Sequence, residues 1–297
     1  MSDFVQQQHT VCDFSTSDSW VILSPIEQSI KRKIEAVGTP LKDWDINIYR
    51  GVLTGYNEAF IINTDKRNEI LSNCQTDDER QRTAELIRPI LRGRDIKRYG
   101  YVDNGLYLIN THNGIRGKLP RIKIEEYPAI KAHLDAYWDK IEKRADQGDT
   151  PYNLRNCAYM DDFSKPKIVW GEISDKSKFA FDFWGNYTPE ATTFYMKGEC
   201  IEYLLCALNS SVSEWLFSKV GTTTGVGTVR WKKYTIEQLL VGRPPKEKMK
   251  QYLAAFEQLK VGKINTKEFE SFCNTFMYQL YGLNEEEVAY IEQKYAE

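Results

Sequence analysis

Residues 50–62 read RGVLTGYNEAFII, and residues 88–99 read RPILRGRDIKRY. In the first stretch Gly51 and Gly55 give the backbone the freedom of a tight turn, which displays small polar and aromatic side chains before an apolar run. The second stretch places several arginines and lysines around a single acid, Asp95. These two stretches have the clearest residue patterns in the chain. The helices and strands predicted on either side of them determine the predicted fold class.

Caps and periodicity predict the surrounding elements. Ser24, Pro25 and Glu27 form the start signal of a helix that Gly38 and Pro40 end. Thr76 and Glu79 open a second helix that ends before Pro89. We call residues 88–98 the basic strip; it would begin at the helix end and continue in a loop. Further helices are predicted at Pro128–Ala145, as a helix or helix pair at Glu199–Val220, and from Lys246 onward. Strands are predicted at Asp45–Tyr49, Glu58–Ile62, Leu106–Ile109, Lys167–Ile173, Lys178–Trp184 and Thr193–Lys197.

This order of elements predicts an α/β fold of the mixed α+β type, with a mixed sheet and flanking helices. We expect a flexible lead-in at residues 1–20, a mixed domain at residues 21–243 and a small helical segment at residues 244–297. The loop GRPPK, from Gly242 to Lys246, is the predicted boundary.

Composition indicates a soluble globular protein. Of the 297 residues 41% are hydrophobic and 28% charged, which is too apolar for a disordered chain. No apolar stretch approaches the roughly 18 residues of a membrane helix, and the start lacks a signal-peptide core. We therefore expect a cytoplasmic protein that does not bind membranes.

The six cysteines are scattered without a CxxC spacing, and the chain has three histidines. This pattern predicts reduced, mostly buried thiols and no zinc site. A metal-dependent nuclease would need an acid pair and a lysine around a cation. The short matches Asp95-Ile96-Lys97 and Glu292-Gln293-Lys294 are patterns expected by chance.

Other catalytic motifs do not fit either. Methyltransferases that act on exocyclic amines usually carry Asn/Asp-Pro-Pro-aromatic, whereas the one Pro-Pro here is flanked by Arg243 and Lys246. The GxG at Gly225–Gly227 lacks the strand and third glycine of a nucleotide fingerprint. We therefore predict no catalytic residue, metal or cofactor site in this chain.

Charge distribution points instead to nucleic acid. The net charge is −2, but basic residues cluster in 88–98, 116–123 and 230–250 while the last residues are acidic. Guanidinium groups match phosphate oxygens, and small polar tips of a turn can meet base edges. The candidate DNA-binding residues are Thr54, Tyr56, Asn57, Arg92, Arg94, Arg98, Arg116, Lys118, Arg230, Lys232 and Lys233.

Each group has a structural alternative. Thr54, Tyr56 and Asn57 could instead form a turn that only shapes the backbone, and Asp95 could hold an arginine in an internal ion pair. Trp231 could stack on a base, although packing is the favoured interpretation. We interpret Tyr137, Trp138, Trp170, Trp184 and Trp215 as core residues.

GVLTGYNEAFII resembles the Gly-x-x-Thr-Gly-x-Asn-x-Ala-Phe signature of TaqI-like C-terminal specificity domains, the target-recognition domains of adenine-specific DNA methyltransferases and type IIG restriction–modification enzymes. LIRPILRGRDIKRY resembles their second block. Further similar segments follow in order over residues 20–295: SKPKIVWGEIS, YLLCALNSSVSEWLF, RWKKYTIEQLLVGRPP and YGLNEEEVAYIE.

The resemblance implies a domain that binds double-stranded DNA and positions it for a methyltransferase domain, with or without a nuclease domain, of the same protein or system. S-adenosylmethionine, and Mg²⁺ for a cleaving enzyme, would bind to those other domains. We therefore expect the chain to be a piece of a longer enzyme rather than a separate subunit. The alternative function is a protein-interaction module that docks a methyltransferase or nuclease partner without reading bases.

Overall fold

The computed structural model describes residues 23–220 and 229–295. The predicted lead-in and most of the Gly221–Arg230 loop lie outside this part. The helices are α1 (Pro25–Val37), α2 (Asn57–Phe60), α3 (Thr64–Ser72), α4 (Asp77–Leu86), α5 (Pro128–Asp135), α6 (Trp138–Ile141), α7 (Ile201–Asn209), α8 (Ser211–Val220), α9 (Lys233–Ile236), α10 (Lys246–Lys260), α11 (Thr266–Tyr281) and α12 (Glu285–Tyr295). Short 3₁₀ turns lie at Leu41–Asp43, Gly93–Asp95, Ile124–Glu126 and Met160–Ser164.

The strands confirm the predicted mixed α/β class. They are β1 (Gly38–Pro40), β2 (Ile46–Arg50), β3 (Ile61–Asn63), β4 (Ile87–Leu91), β5 (Ile96–Lys97), β6 (Gly100–Tyr101), β7 (Leu106–Ile109), β8 (Lys167–Gly171), β9 (Ile173–Ser174), β10 (Phe179–Asp182), β11 (Thr188–Pro189), β12 (Thr193–Gly198), β13 (Val229–Arg230) and β14 (Leu240–Gly242).

Three local predictions were wrong. The apolar run at Glu58–Ile62 is the helix α2 followed by the short strand β3, because Asn57–Phe60 closes a helical turn before the backbone extends. The long helix at Pro128–Ala145 is broken into α5 and α6, because Tyr137 leaves the helical region at φ −113° and ψ 15°. The basic strip begins in the strand β4 and continues in a 3₁₀ turn, not in a loop.

The described residues divide into two compact units. A helical unit comprises those within Met1–Asp45, Glu202–Arg230 and Tyr234–Glu297, and a sheet unit comprises Ile46–Ile201 with Trp231–Lys233. This division differs from the predicted boundary at Gly242–Lys246. The reason is that α1 and α8 pack against α11 and α12, so the C-terminal helices do not form a separate segment.

Caps and buried aromatics organise the helical unit. The capping box of α1 is present as predicted, with Ser24 N–H donating to Glu27 at 2.8 Å. Strands β1 and β14 pair antiparallel. The hydroxyl of Tyr203 donates to the Gly242 carbonyl at 2.6 Å and that of Tyr252 to the Glu202 carbonyl at 2.5 Å, so both phenols are satisfied inside the core.

Glu27 links α1 to two other helices of this unit. Its carboxylate accepts from Lys219 at 2.6 Å and from Tyr290 at 2.7 Å. Burial opposes ionisation, but the Lys219 ammonium, the Ser24 N–H and the Tyr290 hydroxyl outweigh it and lower the pKa of Glu27 to about 2 from 4.5. The ionised carboxylate therefore stabilises the folded state.

This depressed pKa predicts a pH dependence of stability. The contribution is fully present above the unfolded value of 4.5 and is lost as pH falls through about 2. Glu27→Gln should lower the free energy of unfolding by about 1–3 kcal/mol at pH 7, the range expected for charge-assisted hydrogen bonds, and the difference from wild type should shrink between pH 4.5 and 2. Urea denaturation across this range measures it. Glu35→Gln, in an exposed pair with Lys31, is the control; a difference that stays constant with pH would contradict the assignment.

Two four-stranded sheets build the sheet unit. One has the order β10-β8-β12-β2 and is antiparallel, and the other has the order β11-β4-β7-β3 with β11 parallel to β4. Leu91, Val169 and Tyr195 belong to one apolar cluster, and Phe60, Leu108 and Ile130 to the other. Strands β4 and β11 thus bring the beginning of the basic strip beside residues nearly 100 positions later.

Lys167 and Asp182 form an ion pair inside the first sheet. Both side chains are 0% exposed, and Lys167 Nζ lies 2.6 Å from Asp182 Oδ2 on the paired strands β8 and β10. The ammonium also donates to the Phe163 carbonyl at 2.8 Å. The carboxylate accepts the N–H groups of Asn186 at 3.1 Å and Tyr187 at 3.0 Å, so the pair holds the turn that follows β10.

Candidate nucleic-acid interface

The turn at residues 51–57 is held by its own polar side chains. Thr54 is 2% exposed, and its hydroxyl donates to Asn57 Oδ1 at 2.5 Å. The Tyr56 hydroxyl donates to Glu58 at 2.6 Å. These contacts support the structural interpretation of Thr54. Tyr56 is half-buried and Asn57 exposed, and their contact with nucleic acid stays a prediction.

Arg144 anchors this turn from a distant loop. The side chain is 5% exposed, and its guanidinium carbon lies 4.5 Å from the centre of the Phe60 ring. Its two terminal nitrogens donate to four carbonyls, those of Thr54 at 2.7 Å, Asp146, Pro151 at 2.9 Å and Asn153 at 2.5 Å. Burial lowers the pKa of Arg144 to about 10, so it remains charged at neutral pH. Nothing in the sequence around Arg144 marks this role, because its partners are backbone groups.

Glu190 joins the turn to the basic strip. Asn57 Nδ2 donates to Glu190 Oε1 at 3.4 Å, and Glu190 Oε2 accepts from the Thr192 hydroxyl at 2.6 Å. The same hydroxyl accepts the Gly93 N–H at 3.2 Å. A Cβ at Gly51 would lie 2.2 Å from the Glu190 carbonyl oxygen, so glycine is required where the backbones meet. The two sequence blocks are therefore neighbours, connected by a carboxylate that sequence reasoning missed.

Arg92 is engaged inside the basic strip. Its Nε and Nη2 donate to the two oxygens of Asp95 at 3.1 and 3.2 Å, and Asn104 donates to the same carboxylate at 2.9 Å. Burial opposes ionisation, but these donors hold the pKa of Asp95 below its ordinary value. Asp95, which belongs to the short match to a nuclease element, thus stabilises a turn. The arginine that Asp95 holds in an internal ion pair is Arg92.

The other two arginines of the strip differ in environment. Arg98 is half-buried and donates to the Ser177 carbonyl at 3.1 Å and hydroxyl at 2.8 Å. Arg94 is exposed, and no hydrogen bond or ion pair of its guanidinium occurs among the described residues. Of the predicted phosphate contacts in this strip, Arg94 has the geometry that suits one best, because its charge is not neutralised.

Further cations gather around Glu172. Its carboxylate lies 3.3 Å from Arg50 Nη2 and 4.0 Å from Lys232 Nζ. Gly93 and Gly171 approach so closely that a Cβ on Gly93 would lie 3.2 Å from the Gly171 Cα, so the backbone next to Arg94 passes beside the residue that precedes Glu172. We call Arg50, Glu172 and Lys232 the Glu172 cluster; it carries two cations and one carboxylate.

Trp231 fixes the end of this cluster. It is 3% exposed. Its backbone N–H donates to the Glu172 carbonyl at 2.8 Å, and its backbone carbonyl accepts from the Trp170 indole at 2.8 Å. The favoured packing interpretation of Trp231 is confirmed. Lys233 follows as an exposed residue of the sheet unit, whereas Arg230 is half-buried and belongs to the helical unit.

The loop at residues 113–121 forms a second basic surface. This loop lines a cleft of about 640 Å^3. Its exposed cations are Arg116, Lys118 and Arg121. Lys118 pairs with Asp161, and Arg121 lies 3.4 Å from Asp149. Arg116 has no ion pair among the described residues. We call this surface the 113–121 loop.

The aromatic predictions were right for three residues and wrong for two. Trp170 and Trp215 are buried at 1% and 0% exposure, and Tyr137 packs at the edge of the core. Trp138 is 36% and Trp184 67% exposed. Trp138 is the first residue of α6, and Trp184 lies in the turn that follows β10, so neither belongs to a buried strand or helix face.

The cysteines of the described part differ in their exposure. Cys74, Cys206 and Cys273 are buried thiols, Cys157 is half-buried and Cys200 exposed; Cys12 lies outside the described residues. Among the residues with assigned positions, no group of three His, Cys, Asp or Glu side chains could hold a metal ion. In the same part of the chain, no helix is long and apolar enough to cross a membrane.

Known structures share this fold. The type IIL restriction–modification enzyme MmeI, solved in complex with DNA, superimposes with a TM-score of 0.60 at 13% identity over 86% of this chain and 36% of its own. The type IIG restriction endonuclease BpuSI gives 0.52 at 12% identity over 87% of this chain and 34% of its own. The chain thus spans about a third of the length of each enzyme. No curated protein sequence matches it.

The sequence also matches a family model over the part that carries the basic strip, Glu172 and Lys232. The match to the TaqI-like C-terminal specificity domain covers residues 88–241, which is more than half of the 297 residues. The chain therefore belongs to the family of TaqI-like C-terminal specificity domains.

Proposed function

We propose that this chain is a DNA target-recognition domain that binds duplex DNA and positions it for a separate adenine-N6 methyltransferase domain. The observation that carries the proposal is the convergence of the two family blocks. Glu190 and Thr192 join them, and Gly93, which precedes the exposed Arg94, packs against Gly171 next to the Glu172 cluster. Family membership and the fold shared with restriction enzymes support it.

The role that we propose for each cation depends on its hydrogen-bond and ion-pair partners in the protein. Arg92 and Arg98 are satisfied within the sheet unit and serve as scaffold. Arg94 and Arg116 have no ion pair within residues 23–220 and 229–295 and would contact phosphates, which fix register but carry no sequence information. Base-reading groups would come from side chains near them, such as Lys232, Lys233 and Lys118.

Arg94→Ala should weaken binding to all DNA sequences alike, because a phosphate contact does not read bases. The slope of log Kd against log salt should fall by about one. Fluorescence anisotropy with mixed-sequence duplexes between about 50 and 200 mM salt measures both quantities. Arg116→Ala should behave in the same way.

Lys31→Ala is the control, because this exposed lysine is already paired with Glu35 at 2.8 Å. It should change neither affinity nor slope. A change of sequence preference with an unaltered slope would contradict the phosphate assignment of Arg94. If the wild-type chain binds no duplex at low salt but associates with a methyltransferase domain, the chain is a docking module instead.

A further inference from the structure

Trp184 is a large apolar side chain held out of the core. It is 67% exposed, whereas Phe181, three residues earlier, is 3% exposed. Isolated apolar side chains on a surface are common, but a largely exposed tryptophan is a frequent anchor of binding interfaces. Its surroundings decide whether it has such a role here.

The turn that carries Trp184 is held firmly from both sides. The Asp182 carboxylate accepts the N–H groups of Asn186 and Tyr187, and is itself fixed by the buried Lys167. Gly185 adopts φ +64°, and a Cβ there would lie 2.3 Å from the Ser164 carbonyl carbon. The exposed ring is thus presented by an ordered backbone packed against Ser164 and Lys165, which reduces the entropy that a contact would cost.

The charged groups linked to this turn and its neighbours carry a small excess of positive charge. Arg88 donates to the Ser164 hydroxyl at 3.1 Å and has no carboxylate partner among the described residues. Asp162 is shared by Lys165 at 3.0 Å and Lys197 at 2.5 Å, so one carboxylate faces two ammonium groups. Another nearby acid, Asp103, accepts from the Tyr187 hydroxyl at 2.9 Å. With the Lys167–Asp182 pair of the turn itself, four cations stand against three carboxylates, an excess of one positive charge.

We propose that Trp184 stacks on a nucleobase of the bound DNA, as an aromatic contact that Arg88 and Lys165 support on the adjacent phosphates. The inference rests on the proposed DNA-binding function and adds a second contact surface to it. An indole presents a flat face to any base, and flanking cations favour a polyanion over an apolar protein surface. Stacking requires a base face, which a locally opened or kinked step provides.

The test compares wild type, Trp184→Ala, Trp184→Phe and the control Trp138→Ala, whose exposed indole lies in the same unit 5.3 Å from the Tyr152 ring. The probes are a mixed-sequence duplex of about 30 base pairs, long enough for the interfaces of this class, and the same duplex with a central mismatch. Anisotropy gives Kd and its salt slope, and indole emission reports stacking directly.

We expect Trp184→Ala to weaken binding about tenfold with an unchanged salt slope, since stacking releases no counterions. Tighter binding of the mismatched duplex and DNA-induced quenching of indole emission should both disappear in Trp184→Ala. Both should persist in Trp138→Ala, and Trp184→Phe should retain most of the affinity. Unchanged thermal unfolding would show that these variants fold.

Equal affinity and equal quenching for wild type and Trp184→Ala would overturn the stacking role while leaving the proposed function intact. Loss of association with a methyltransferase domain but not with DNA would overturn it in favour of a protein contact. If the wild type binds neither duplex, the proposed function fails as well.

Discussion

Lys167→Met should lower the free energy of unfolding by about 3–5 kcal/mol, because it leaves the Asp182 carboxylate buried without its cation. Both side chains are 0% exposed, and the ammonium makes a further bond to the Phe163 carbonyl. Solvent cannot replace these partners. Urea denaturation at pH 7 measures the loss, which would leave little stability in a domain of ordinary stability.

The matched control is Lys165→Met, two residues away. Lys165 is 59% exposed in its pair with Asp162, so its loss should cost less than about 1 kcal/mol. The double variant Lys167→Met/Asp182→Asn should recover part of the deficit, because it removes the unpaired charge and keeps an acceptor for one of the two N–H groups of the turn. Equal losses for Lys165→Met and Lys167→Met would contradict the special role of the buried pair.

Arg144→Met should lower the free energy of unfolding by about 2–4 kcal/mol, because it leaves four backbone carbonyls without their donor. The loss should be concentrated in the turn at residues 51–57, whose Thr54 carbonyl accepts from Arg144 at 2.7 Å. Hydrogen exchange should show reduced amide protection there, and denaturation gives the total. DNA affinity should fall as the turn loses its position beside Glu190.

Arg155→Met is the control for this prediction. Arg155 pairs with Asp146 in the same loop but is 51% exposed, so its effect should stay below about 1 kcal/mol. Arg144→Lys should not restore stability, because an ammonium cannot reach the four carbonyls that the planar guanidinium serves. Full stability in Arg144→Lys would show that charge alone, rather than the fork of donors, is required.

Local sequence signals predicted the elements with the clearest caps. The predicted helix starts at Ser24 and Thr76 are both present, since each cap is satisfied within four residues of chain. The breaks were harder to predict. Pro128–Ala145 carries a continuous apolar stripe, yet it bends at Tyr137, whose ring packs near His133 at 5.3 Å and Tyr56 at 6.2 Å. Tertiary packing there overrides periodicity.

The basic strip illustrates the same limit for the candidate interface. From the sequence, Arg92, Arg94 and Arg98 were all candidate phosphate contacts, and nothing showed which of them Asp95 would hold. The structure separates them, because a partner for Arg92 is three residues away while the partner of Arg98, Ser177, is 79 residues away. Which arginine stays free depends on groups that no local pattern reveals. The same applies to Glu172 and Glu190, which sequence reasoning did not consider.

By itself the sequence determined the family of this protein, its mixed fold and the stretches that carry its positive charge. Backbone turns and helix caps depend on residues that are close together in the sequence, and each family block is a short stretch of such residues. Only the tertiary structure decided which cations are neutralised, that Trp184 is exposed, and that the residue 50–62 and 88–99 blocks meet through Glu190. Those outcomes depend on burial and on contacts between residues far apart in the chain, where the balance of desolvation and pairing is set.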